Sequence, residues 1–368
     1  MTVEPLRVAL LAADLRKGGA EKQLVYVARA LVEAGVTMRV YTLTQGEEHE
    51  ATLRALGLEP IWFGRRGNPL LRLGTLARAL REFRPHLIQS MHSFANLYAS
   101  LLGRWFRAVS VGALRSSVEH SRQGNGAWTP WLIRTPTALI VNSEVVRDDL
   151  LARRLRRPEG LFLLPNVIEL ADYDQEQPRA MGSEEPSRLT AILVGRLVGL
   201  KRVDRFLRAV GLAASEEPAV CGVVVGDGPE RANLEQLAGE LGLGPERVRF
   251  VGQRQDVPRL LGEADVLVHC SDDEGMPNVV LEAMAARLPV ITTPAGDAKF
   301  LVQDQVNGCV VPFDDPKAMA EGLVRLAREP ELRRTMGHEG RKRVEREYSF
   351  DRLAERLLAI YEVLLARN

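Results

Sequence analysis

Two α/β domains, each a doubly wound parallel sheet, are what this sequence predicts, and three observations lead there. Short apolar, often β-branched runs alternate with amphipathic stretches along the chain. The alternation breaks once, at a polar segment carrying Pro178 and Pro186, and then restarts. The 368 residues, 46% of them hydrophobic, suffice for two ordinary cores.

The elements follow in order. "LRVALLAA" reads as a strand and "AEKQLVYVARALVEAG" as the helix after it; "MRVYTL" and "HLIQS" are further strands, "FANLYASLLGRWF" a helix, and "TALIVNS" a strand leading into the helix "EVVRDDLLARRL". The second series is "LTAILVGRL", "CGVVVGDG", "RVRFVG", "ADVLVHCS" and "LPVITTPAG", each followed by a helical pattern. The expected boundaries are 1–168 for the first domain, a linker over 169–188, and 189–348 for the second. A last helix lies over 349–368, with Ser349 as its N-cap and Leu353, Leu357, Ile360 and Leu364 on one face.

Composition narrows the function classes. Residues 1–168 carry 23 Lys+Arg against 14 Asp+Glu, a charge of +9, whereas 169–368 carry 26 against 34, a charge of −8. The basic half suits a peripheral contact with an anionic membrane surface or a charged acceptor, and equally a set of solvated arginine-rich helix faces. No helix-turn-helix, zinc or RNP-like pattern accompanies it, so no nucleic-acid partner is expected. Cys221, Cys270 and Cys309 have no C-x-x-C spacing and read as buried small hydrophobes. No run reaches the roughly eighteen apolar residues of a spanning helix, and charges flank the first strand on both sides, unlike a secretory leader. A cytoplasmic location is expected.

In open α/β sheets ligands bind at the carboxyl ends of strands, so the chemistry is sought in strand-to-helix loops. The first, "DLRKGGAEKQ", has Gly18 and Gly19, which let backbone approach a ligand or simply make a tight turn. The second, "LVGRLVGLKR", offers Arg196 as a fork and Lys201 as a point charge for a diphosphate, although surface cations look the same in sequence. Arg202, Arg205 and Arg208 read as a solvated helix face. The third, "VVVGDGPER", reads as a structural turn at Gly226 and Gly228, with Pro229 at a helix start. The fourth, "SDDEGMPNVVLEAMA", places Glu274 in a loop, Gly275 where backbone comes close, Pro277 at the first helical position, and Glu282 on the second turn, where a carboxylate accepts vicinal hydroxyls. "DYD" at 172–174 matches a metal-binding D-x-D pattern but follows no apolar strand. His92 and His120 fall near strand ends, placed for general acid/base or structural roles. Arg104 and Arg107 flank Trp105 and Phe106, an aromatic and basic pairing.

Taken together, "GGAE", "GRLVGLKR", "GDGPER" and the run from Gly252 to Thr293, with E-x7-E at Glu274 and Glu282, resemble the retaining GT-B-fold glycosyltransferases of family 4. The resemblance covers about residues 6 to 366. It implies two Rossmann-like domains facing each other across a cleft, the last helix crossing back to the first domain. It further implies transfer of a sugar from a nucleotide-sugar donor to a glycan or lipid-linked acceptor with retained configuration, in polysaccharide or cell-envelope synthesis, without cofactor or metal. By that resemblance Arg196 and Lys201 would hold the diphosphate, and Glu274 and the backbone of Gly275, Met276 and Pro277 would meet sugar or phosphate. Glu282 would hold the ribose, Gln253 and Arg254 would border the base, and Gly18 and Gly19 would flank the donor.

Two positions depart from the family. Arg115 and Ser116 stand where members often have a histidine, leaving His120 as the candidate in its place, and Phe300 stands where an acidic residue is frequent. The competing functions are a catalytically inert nucleotide-sugar-binding protein of the same fold, and an NAD(P)-dependent oxidoreductase, which lacks support because no G-x-G-x-x-G follows the first strand. A periplasmic sugar-binding protein would need a leader.

Overall fold

The computed structural model describes residues 5–64, 68–174 and 188–367. The chain divides into two compact units, one of Met1–Val167 with Phe350–Asn368 and one of Ile168–Ser349.

The first unit is built on a parallel sheet of β1 (Arg7–Ala12), β2 (Thr37–Thr42), β3 (Ile61–Trp62), β4 (Leu87–Ser90), β5 (Val109–Leu114), β6 (Ala138–Val141) and β7 (Leu161–Leu163), in the order β3-β2-β1-β4-β5-β6-β7. Burial of both sheet faces explains why β1 is apolar from Val8 to its end. Val8, Leu10 and Ala12 enter one core, with Leu24 and Leu31 of the Gly19–Glu33 helix, while Ala9 and Leu11 enter the other, with Leu80, Tyr98 and Leu102. The order reverses between β1 and β4, so the loops after these two strands diverge and leave a crevice at their carboxyl ends.

The second unit repeats the logic with β8 (Leu189–Val194), β9 (Val220–Val225), β10 (Val248–Phe250), β11 (Val266–His269), β12 (Val290–Thr292) and β13 (Gly308–Val310), in the order β10-β9-β8-β11-β12-β13. Its reversal lies between β8 and β11, which pair in parallel with Val266 opposite Ala191. All three cysteines are buried and free. No helix among the described residues is long and apolar enough to cross a membrane.

Three strands found here, β3, β7 and β13, have only two or three residues each and sit at sheet edges or next to them, too short to show a period in sequence. Ser349 does not cap the last helix: a 3-10 turn, Phe350–Arg352, comes first and the helix runs Leu353–Ala366. Its Leu353, Leu357, Ile360 and Leu364 are buried in the first unit's core as the periodicity indicates, and Tyr361 donates its hydroxyl to Gln89 Oε1 of β4 at 2.5 Å. Residues 168–174 pack in the second unit, where Ile168 and Tyr173 are 1% exposed. The "DYD" stretch lies in the short helix Ala171–Asp174, and Asp174 pairs with Arg341 at 2.7 Å. The rest of the expected linker, with Pro178 and Pro186, lies outside the described residues.

Leu357 has no exposed surface. Leu357→Ala is expected to cost about 2–5 kcal/mol of stability through the cavity it leaves, read as a lower urea midpoint for the first unit; an unchanged midpoint would sever the last helix from that core.

Candidate active site

The loop after β8 owes its shape to two glycines in a different loop. Gly226 has φ +140°, and a Cβ there would lie 1.8 Å from the Gly195 carbonyl oxygen; at Gly228 it would lie 2.4 Å from that of Leu197. The 226–230 segment therefore lies directly against 195–197, where Gly195 N–H donates to Val225 O and Leu197 N–H to Asp227 O, each at 2.9 Å. This is the structural turn expected from the sequence. Pro229 sits in a turn two residues ahead of the helix Arg231–Glu240 rather than inside its first turn. On the face left open, Arg196 is exposed and makes no ion pair among the described residues, and a short 3-10 turn, Gly199–Lys201, presents Lys201.

The loop after β11 is fastened on both sides. Asp272 N–H donates to Leu200 O at 3.0 Å, Thr293 Oγ1 to Ser271 O at 2.7 Å, and Asp297 N–H to Gly275 O at 2.8 Å. Gly296, at φ +53°, lies so close that a Cβ would fall 2.3 Å from Glu274 O. Gly275, Met276 and Pro277 are buried, with Met276 inside the core. Pro277 takes the N-cap position, one residue earlier than expected, and the helix is Asn278–Ala285. Glu282, on its second turn, is half-buried.

These loops bring Lys201 and Glu274, 73 positions apart, into a direct ion pair at the β8/β11 switch point. His269, the last residue of β11, completes the group: its Nε2 lies 3.2 Å from Glu274 Oε1 and its Nδ1 2.9 Å from Thr292 Oγ1. The Glu274 side chain keeps 15% of its surface exposed. Burial alone would raise its pKa, but the His269 hydrogen bond and the charges of Lys201 and His269 outweigh burial and hold the carboxyl well below the usual range. No sequence pattern points to His269, because a single histidine ending an apolar strand has no spacing that marks it.

Behind the loop, the expectation for Arg205 is corrected. Instead of facing solvent it is 1% exposed, pairs with Asp272 at 2.6 Å and with Asp314, and donates to the Cys270 carbonyl at 2.9 Å. Its helix, Val203–Glu216, buries Val203, Phe206, Leu207 and Val210, and Arg205 lies on that inward side. Arg202, in the left-handed conformation at φ 48°, is half-buried and pairs with Asp204, Asp272 and Asp314. Arg208 alone is exposed. The remaining second-unit candidates, Gln253 and Arg254, are exposed, with Arg254 forked onto Asp256 at 2.8 and 2.7 Å.

The other candidates belong to the first unit. Gly18 is the extended N-cap of the Gly19–Glu33 helix, and a Cβ there would lie 2.1 Å from Glu21 Oε2. Glu21 meets His92 Nε2 at 3.0 Å, while His92 Nδ1 accepts from Ala13 N–H at 3.1 Å, so the proton facing Glu21 sits on Nε2. This pair sits at the β1/β4 switch point. His120 lies apart from it, exposed on the first turn of Val118–Asn125, its N–H donated to the capping Ser117 Oγ at 3.0 Å. Arg115 is half-buried, with Nη1 3.4 Å from Asn166 Oδ1 and Nε without a partner; burial pulls its pKa down to about 10.

A carboxyl whose folded pKa lies below its unfolded one adds stability that is complete above the unfolded value and lost as pH falls through the folded one. Wild type should therefore exceed Glu274→Gln by on the order of 1–3 kcal/mol at neutral pH. That margin should shrink as pH drops below the ordinary value of 4.5. Urea melts across pH measure the margin; a pH-independent one would refute the ion pair.

Comparison with known proteins gives a consistent result. A family model described as "Glycosyltransferase Family 4" matches residues 17–172 and one described as "Glycosyl transferases group 1" matches residues 188–329, together most of the chain. Among curated proteins, a D-inositol 3-phosphate glycosyltransferase of Salinispora tropica is 31% identical over 251 residues, 62% of this chain and 52% of that protein. The match thus spans about half the length of such relatives. The lipopolysaccharide core biosynthesis glycosyltransferase LpsD of Rhizobium meliloti is 26% identical over 96% of this chain and 97% of its own. Among solved structures, HepE of Anabaena in complex with UDP-glucose superposes with a TM-score of 0.85 at 20% identity, over 97% of this chain and 99% of that one. Two parallel-sheet α/β units with this strand order, and two adjoining family matches, place the chain in the GT-B-fold group 1, family 4 glycosyltransferases.

Proposed function

We propose that this protein is an enzyme that transfers a sugar from a nucleotide-sugar donor to a glycan or lipid-linked acceptor with retention of anomeric configuration. One observation carries the reading: Lys201 and Glu274 meet at the switch point of the second sheet, with the unpaired Arg196 on the same loop as Lys201. The reaction breaks the bond from sugar C1 to the diphosphate oxygen and makes one to an acceptor hydroxyl oxygen, whose proton is released. Negative charge grows on the departing diphosphate. Arg196 offers it a fork, Lys201 a point charge, and the Asn278–Ala285 helix the positive end of its dipole. In this scheme protein groups carry that charge, without a metal. Glu274 orients the donor sugar, and Glu282 accepts the ribose hydroxyls.

The name of the Anabaena neighbour makes UDP-sugars the first donors to try, and the Rhizobium relative makes envelope glycans the first acceptors. A second reading, nucleotide-sugar binding without transfer, draws support from His120, exposed and without a side-chain partner among the described residues. Release of nucleoside diphosphate from UDP-, GDP-, ADP- and TDP-sugars in EDTA tests both. One donor is expected to be hydrolysed slowly, with the rate cut about a hundredfold in Lys201→Ala and KM raised about tenfold in Glu282→Ala. Binding with neither hydrolysis nor transfer would leave the second reading, and no binding of any donor would remove the site.

A further inference from the structure

The stretch "RRLRR" at 153–157 follows the helix Glu144–Ala152 and turns sharply: Arg154 takes φ 52°, its N–H donates to Leu151 O at 3.0 Å, and Leu155 tucks into the core at 8% exposure. The arginines splay outward around that anchor. Arg153 and, earlier on the helix, Arg147 are paired, with Asp149 and with Glu144 and Asp148. Arg154, Arg156 and Arg157 are different. Together with Arg134 they line a concavity of about 730 Å³, and none of the four has a carboxylate within 4 Å among the described residues. Glu159 is the one acidic residue in the lining, and it pairs with none of them.

Arg156 is the floor of this concavity. Its guanidinium is held by carbonyls alone, those of Pro136 at 2.8 Å, Thr137 at 3.0 Å, Arg134 at 3.2 Å, Ile133 at 3.4 Å and Gly160 at 2.7 Å, and its Nε is buried without a partner. Burial without a counter-charge lowers its pKa. Those carbonyls belong to the segments just before β6 and β7, so the concavity lies at the amino ends of these strands, away from the carboxyl ends that carry the β1/β4 crevice. One turn before Arg134, on the same helix face, Trp131 is 42% exposed, and Trp128, 68% exposed, meets it edge-on at 5.9 Å.

Four guanidinium groups without a carboxylate partner among the described residues surround one hollow that holds a single carboxylate, a field that an anion completes, and the forks of the three exposed ones, Arg134, Arg154 and Arg157, match phosphate oxygens in pairs. We propose that this concavity is a binding site for a phosphate group, in the first unit and independent of the transfer reaction proposed above. The adjoining tryptophans suit either a soluble phosphate ester or the headgroup of an anionic lipid, since an exposed indole offers both a stacking face and an interfacial anchor.

The test uses the full chain in an Arg196→Ala/Lys201→Ala background, so that the second-unit cations do not draw the probe. Inorganic pyrophosphate is titrated by calorimetry, and vesicles of phosphatidylcholine with and without phosphatidylglycerol are tested by co-sedimentation. Arg134→Ala/Arg154→Ala/Arg157→Ala is compared with a charge-matched triple elsewhere on the same unit, Arg78→Ala/Arg104→Ala/Arg122→Ala, all three exposed. Saturable binding that the first triple weakens about tenfold or more, and the second by less than about twofold, is expected. Saturation by pyrophosphate without vesicle binding assigns the site to a soluble phosphate, and binding only to phosphatidylglycerol vesicles assigns it to a headgroup. Equal loss in both triples, or no binding to either probe, overturns the proposal.

Discussion

One carboxylate held between a lysine and a histidine organises the second unit's strand ends. Removing a carboxylate from water is costly, and Glu274 is tolerable there only because Lys201 and His269 reach it together. That requirement fixes where two loops and two strand ends must run. The β8 loop has to bring Lys201 inward, the β11 strand has to end on a histidine, β12 has to present Thr292 to that ring, and Gly296 has to let its loop lie against the Glu274 carbonyl. Arg205 supplies the stiffness behind them. Its buried guanidinium joins Asp272, Asp314 and the Cys270 carbonyl, so the start of the β11 loop is gripped from the side opposite Lys201.

The two sheets share a topology and differ in what stands at the point of reversal. In the second unit the group is Lys201, Glu274 and His269 with Arg196 close by in sequence, a place suited to negative charge. In the first, Glu21 and His92 stand beside a Gly-Gly helix start, a place suited to hydroxyls. The same crevice geometry thus carries different side-chain chemistry in the two sheets through a change of a few residues.

Much of this was legible from the residues, and the failures have physical causes. Long β-branched runs such as "LTAILV" show themselves because both faces of a parallel sheet are buried, whereas β3, β7 and β13 are too short to show a pattern. Lys201 is marked by its place after the Gly195 strand end and Glu274 by its place in the loop before Gly275 and a helix start, yet their pairing across 73 positions is a fact of the fold alone. Arg205 reads as solvent-facing in the sequence because spacing on a helix tells which residues share a face but not that a charged one among them is buried and reaches two surface aspartates from below. His269 gave no signal, since its importance comes wholly from the loop that folds over it.

The hydroxyl of Tyr361 on Gln89 joins the chain's last helix to its fourth strand, and so makes the first unit discontinuous in sequence. On the ribosome this sets an order. Residues 168–349 are all available to fold before 350–367 have emerged, so the unit begun first is the unit completed last. Until then the nascent first unit holds Leu24, Tyr26 and Leu31 without the helix that covers them, and the closing contact spans 272 positions, a long loop for the chain to shut in its final step.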